Sequence, residues 1–237
     1  MKLSAPIYQL KRQARVLSRQ DAIPLHEALD RIAGREGFNR WSLLVTQYSA
    51  SAPASKLYPR FKPGDIVLIG ARPGQGKTLL SLELAVEAMK AGNQSVFFSL
   101  EYTEKECQDR LVDIGVDPTL YTGLFECDCS DRICADYIIK RLESPSRGTL
   151  AVVDYLQLLD QRRETPELMI QVRALKAFAL ERGLVMVFIS QIDRSFDPAT
   201  KPFPDLEDIR LPNPLDLSLF DHTCFLHNGE VQVSKSR

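Results

Sequence analysis

The segment "GARPGQGKT", residues 70 to 78, comes within one letter of G-x-x-x-x-G-K-[ST], the pattern of a loop that wraps nucleotide phosphates. Counting back from Gly76, Lys77 and Thr78, the first glycine of that pattern falls on Ala71. Such a loop needs backbone N–H groups turned inward around phosphate oxygens, with a helix N-terminus behind them. Gly74 and Gly76 free the backbone where it must curl, and alanine is the smallest replacement for a glycine at the start. The nucleotide-binding stretch is therefore Ala71, Arg72, Pro73, Gly74, Gln75, Gly76, Lys77, Thr78 and Leu79. In it Lys77 brings a point charge to the β- and γ-phosphates, and the Thr78 hydroxyl is a ligand for Mg²⁺.

Such a loop works only between a strand and a helix, and the surrounding sequence supplies both. "DIVLIG" (65–70), "SVFFSL" (95–100), "LAVVD" (150–154) and "VMVFIS" (185–190) are short apolar runs rich in Val, Ile and Phe. Helical stretches separate them, notably 77–91 and 165–182. Apolar strands without alternation, joined by helices, predict a parallel sheet covered on both faces. Asn228-Gly229, between two strand-like runs in "TCFLHNGEVQV", predicts a hairpin, hence a mixed edge to the sheet.

In an open parallel sheet, ligands gather at the carboxyl ends of the strands. Here each strand delivers a polar group to that edge: the loop after the first, Glu101 after the second, Asp154 at the third, Ser190 and Gln191 at the fourth. Asp154 is placed to hold Mg²⁺ together with Thr78. Glu101 is the candidate for activating an attacking water, and Gln191 for touching the γ-phosphate or that water.

Residues 1–60 have a different character, with ten Lys/Arg against four Asp/Glu, whereas the remainder carries a net charge of −7. Ile7, Leu10, Ala14 and Leu17 recur at helical spacing, with Lys11, Arg12, Arg15 and Arg19 elsewhere around the cylinder. A second helix carries Leu25, Ala28, Leu29, Ile32 and Ala33, and Phe38, Trp41 and Leu44 suggest a third that closes a small core. The expected division is a basic helical module over 1–50, a linker over 51–59 read from "SASAPAS", and an α/β domain over 60–237. The module should present its basic face to an acidic partner or to nucleic acid. The odd count of five cysteines disfavours a disulfide framework. No apolar run reaches the ~18 residues that span a bilayer, and the N-terminus has no signal-peptide core, so a cytoplasmic location is expected.

"GARPGQGKT", "VFFSLEYT", "AVVDYLQLL" and "VFISQIDRS" follow one another in the order and approximate spacing of the DnaB-type replicative helicases, within the RecA-like ATPases. The chain resembles that family over about residues 60–237, and "ARP" is a frequent start to the family's phosphate loop. The resemblance implies a RecA-like sheet and ATP hydrolysis with Mg²⁺. By position it implies Glu101 as catalytic glutamate, Asp154 as the Mg²⁺-associated aspartate and Gln191 as the γ-phosphate sensor. It further implies DNA replication as the setting, single-stranded DNA as the partner, and a ring, a hexamer by the resemblance. The terminal "VSKSR" offers Lys235 and Arg237 as basic fingers to a neighbouring subunit's nucleotide. Two features depart from the pattern. A small basic module stands in place of the family's large helical N-terminal domain, and "DLEDIRLPNPLDLSLFD" (205–221) replaces a glycine-containing, DNA-contacting segment. These departures keep open an alternative, a nucleotide-gated interaction protein that does not unwind DNA.

Overall fold

The computed structural model describes residues 3–5, 7–160, 165–211 and 213–235. Seven strands form one sheet: β1 (Ile66–Ala71), β2 (Ser95–Ser99), β3 (Phe125–Asp128), β4 (Leu150–Asp154), β5 (Val185–Gln191), β6 (His222–His227) and β7 (Glu230–Lys235). Their order is β3-β2-β4-β5-β1-β6-β7, parallel throughout except for β7. The helices are α1 (Ile7–Gln20), α2 (Leu25–Arg35), α3 (Trp41–Ser51), α4 (Pro53–Leu57), α5 (Lys77–Lys90), α6 (Glu104–Asp113), α7 (Ala135–Arg141) and α8 (Leu168–Arg182).

Alternate residues of β1 show why the central strands are mostly apolar. Val67 and Ile69 pack into a core with Leu82, Leu84 and Ala85 of α5. Ile66 and Leu68 pack on the opposite face with Val172 and Leu175 of α8. Both faces are covered, so both sets must be apolar. The Asn228-Gly229 hairpin forms as expected, with φ of 50° and 79° at its two central residues.

The segment expected to be a linker is instead helical. α3 runs to Ser51 and α4 follows at Pro53, where proline in a first turn gives up an N–H that would have had no partner. Ala52, Ala54 and Leu57 are buried, and Leu44, Ala33 and Ile7 belong to the same core as β1 and α5. Leu10, Ala14, Ala28 and Ile32 form a smaller cluster between α1 and α2. The small residues read as flexibility are there for close packing.

The basic face of α1 is also partly occupied from within the chain. Lys11 Nζ donates to the Val112 carbonyl at 2.5 Å, and Arg15 pairs with Asp113 at 2.9 Å, both on α6. Arg12 and Arg19 remain exposed. The sulfurs of Cys107, on α6, and Cys127, on β3, lie against each other. β3 and α7 lie in a stretch where the sequence carries no strong periodic signal. Among the described residues, no helix is long and apolar enough to cross a membrane.

Candidate nucleotide site

The phosphate loop leaves β1 and enters α5, so the strand, turn and helix that the motif requires are all present. Gly74 and Gly76 have φ of 79° and 88°, a left-handed backbone that a side chain would strain. Ala71 is still part of β1, between Gln191 of β5 and Leu226 of β6. Its backbone is that of an ordinary strand, so the position needs no glycine. The glycine required by packing is Gly70, where a Cβ would come within 2.8 Å of the Phe225 ring and 2.9 Å of Ile209 Cδ1.

A cleft of about 360 Å³ opens over the loop. Pro73, Gly74, Gly76, Lys77, Thr78 and Leu79 line it from the loop side, with Glu101 and Gln191 opposite. Four strand ends thus bring their groups to one place. Asp154 is fully buried at the end of β4. Its Oδ2 accepts from the Thr78 hydroxyl at 3.3 Å, and its Oδ1 is buried without a hydrogen-bond partner. Burial pushes the Asp154 carboxyl up to about 7, nearby Glu101 pushes the same way, and Lys77 opposes both. Glu101 is exposed, and its backbone N–H donates to Ser99 Oγ at 3.1 Å, which fixes the turn that presents it.

An oxygen pair with one unsatisfied, buried carboxylate atom fits a hard divalent cation that takes oxygen ligands. The Asp154–Thr78 pair therefore suits Mg²⁺.

Two of the loop residues face elsewhere. The Arg72 guanidinium donates to the carbonyls of Arg194 and Phe196 and lies 5.2 Å from the Phe196 ring centre. Gln75 Oε1 accepts from the Asn228 N–H at 2.8 Å. Lys235 is further still. It sits opposite His222 on β6, whereas the end of β6 that flanks Ala71 is Leu226. Four strand steps separate them, roughly 13 Å along the sheet. Arg237 lies outside the described residues.

Sequence reasoning overlooked Tyr102 and Arg110, which also line the cleft. The Arg110 guanidinium stacks 4.1 Å from the Tyr102 ring centre. A capping box of Thr103 and Glu106 fixes the start of α6 and so carries Arg110 back over the site. That box was the available signal, since strand-end logic says nothing about a residue two turns into a helix.

A parallel sheet with this strand order, its loop on β1 and its aspartate two strands away on β4, defines a RecA-like α/β fold. The DnaB-like helicase C terminal domain family matches residues 55–117 and 132–235, and the chain belongs to it. The replicative DNA helicase DnaB of Mycoplasma genitalium is 27% identical over 225 residues, covering 78% of this chain and 48% of that protein. The DnaB of Helicobacter pylori is 26% identical over 211 residues, covering 74% and 43%. The chain thus spans about half the length of these curated relatives. Among solved structures, a DnaB-like replicative helicase described with its primase interactions aligns with a TM-score of 0.63 at 20% identity, over 97% of this chain and 72% of that one. A KaiC-like protein of the hyperthermophilic archaeon Pyrococcus horikoshii aligns with a TM-score of 0.54 at 18% identity, over 74% and 80%. Those two likenesses concern the fold.

Proposed function

We propose that the chain hydrolyses ATP with Mg²⁺ in the cleft over the phosphate loop, and couples that turnover to single-stranded DNA. The observation that carries the reading is the Thr78–Asp154 pair with its unpartnered buried oxygen, set beside Lys77, Glu101 and Gln191. In this reading the loop amides and Lys77 neutralise the triphosphate. Thr78 and Asp154 hold the cation, which when bound offsets charge on the phosphate oxygens. Glu101, exposed at the cleft, orients a water and takes its proton. Gln191 contacts the γ-phosphate, and its backbone carbonyl accepts from Arg210 N–H at 2.8 Å, which ties it to the segment beyond.

The DNA half of the reading rests on membership of the helicase family. It implies action in the cytoplasm, in a ring whose subunits share their active sites. Lys235 and Arg237 would serve a neighbour, which agrees with Lys235 being distant from its own loop. Residues 1–50 would form the basic unit, with Arg12 and Arg19 facing an acidic partner or nucleic acid.

The test separates binding from turnover. Glu101→Gln should bind ATP with near-normal affinity and hydrolyse it at least 100-fold more slowly, since a positioned general base contributes ~10²–10⁴. Normal turnover by Glu101→Gln would remove Glu101 from this role.

A further inference from the structure

Arg72 and Gln75 belong to the phosphate loop, yet neither lines the cleft. Each reaches outward to a different segment. Arg72 donates to the Arg194 and Phe196 carbonyls, beyond β5. Gln75 accepts from the Asn228 N–H, at the β6–β7 turn. These two segments also touch each other: the Phe196 and His227 rings meet edge to face at 5.5 Å, and the Asn228 amide lies 3.1 Å from His227 Nε2. The contacts close a circuit, Arg72–Phe196–His227–Asn228–Gln75, around the outside of the loop.

We propose that Arg72 and Gln75 are positioning residues that clamp the phosphate loop to the post-β5 segment and the β6–β7 turn, so that loop occupancy is transmitted to the hairpin carrying Lys235. The physical basis is the short path. The Gly74 and Gly76 backbone that would turn its N–H groups onto phosphate lies on either side of Gln75. Any adjustment of that backbone moves the Gln75 side chain, which holds the turn by a hydrogen bond to main chain. The turn is a tight two-residue one, with both its central residues at positive φ, and it joins β6 directly to β7. β7 continues from the turn as one strand to Lys235. This inference rests on the reading of the loop as a nucleotide site.

The experiment is hydrogen exchange of the whole chain, read on peptides covering 224–232, with Mg²⁺ and either ADP or a non-hydrolysable ATP analogue. Nucleotide affinity is measured in parallel. In the wild-type protein the ATP analogue should change exchange of the Asn228 region by at least several-fold relative to ADP. In Gln75→Ala, which removes the direct hydrogen bond to the turn, the difference between the two nucleotides at the turn should fall at least several-fold. His227→Ala, which cuts the other arm without touching the loop, should reduce that difference. A difference that persists unchanged in Gln75→Ala would overturn the clamp. So would wild-type protein that binds both nucleotides with no difference at the turn, leaving the nucleotide site itself intact. Failure of the wild-type protein to bind either nucleotide would overturn both the clamp and the functional reading.

Discussion

Two carboxylates raised by burial to about 7 illustrate how little of a residue's behaviour follows from its type. Asp154 is raised within the nucleotide site, and Glu83, on α5, is raised away from it. Glu83 accepts from the Tyr48 hydroxyl at 2.9 Å, which lowers its pKa, as Lys90 does, while Glu87 raises it. Burial outweighs these partners. The folded protein therefore keeps a proton on Glu83 that the unfolded chain releases above pH ~4.5. Stability from this group is present below that pH and is lost as pH rises toward 7, by roughly 3 kcal/mol in all. Glu83→Gln keeps an acceptor for Tyr48 and has no charge to bury. It should raise the melting temperature at pH 8 and flatten the change between pH 5 and pH 8. An unaltered pH profile in the variant would show that Glu83 is not the source. At the same scale, Lys77→Ala should abolish ATP turnover by removing the one cation of the loop that faces the cleft.

At the scale of elements, the N-terminal helices are structural partners of the sheet. Leu44 on α3 is fully buried in the core that contains β1 and α5. Leu44→Ala should destabilise the whole chain by about 2–5 kcal/mol, measured as one cooperative transition in denaturant. If α1–α3 melted in a separate, earlier transition, the N-terminal helices would be an independent module after all. The strands and the loop were legible in the sequence because their constraints are local. A strand covered on both faces is apolar along most of its length, and a phosphate loop favours glycine where φ is positive. The helical "SASAPAS" stretch was not legible, since Ala and Ser carry no period and what decides their state is the surface they meet. Lys11 and Arg15 misled for a similar reason. Charge on a helix face announces a partner without saying that the partner, α6, lies about one hundred residues away in the same chain. Arg110 stayed hidden because its place over the cleft depends on how α6 is capped and packed.

For the whole molecule, the hairpin geometry sets a strong constraint. Lys235 stands beside His222, away from the edge that holds the loop, so under the proposed reading a finger at this end of β7 would act on another copy. A head-to-tail ring would give every site one such finger. Arg237→Ala and Glu101→Gln subunits, each inactive alone, should therefore recover part of the ATPase activity when mixed. The expected loss in Arg237→Ala is ~10³-fold or more, the range of an arginine finger. Full activity of assembled Arg237→Ala protein would refute action in trans. The central claim is that Mg²⁺-dependent ATP turnover at this loop is coupled to DNA. Its most direct test is the steady-state rate of ATP hydrolysis by the whole chain, with Mg²⁺, with and without single-stranded DNA, in wild-type and Lys77→Ala protein. The account predicts turnover that single strands accelerate in the wild-type protein and that is absent from Lys77→Ala under both conditions. A wild-type rate indifferent to single strands, or equal turnover by Lys77→Ala, would contradict it.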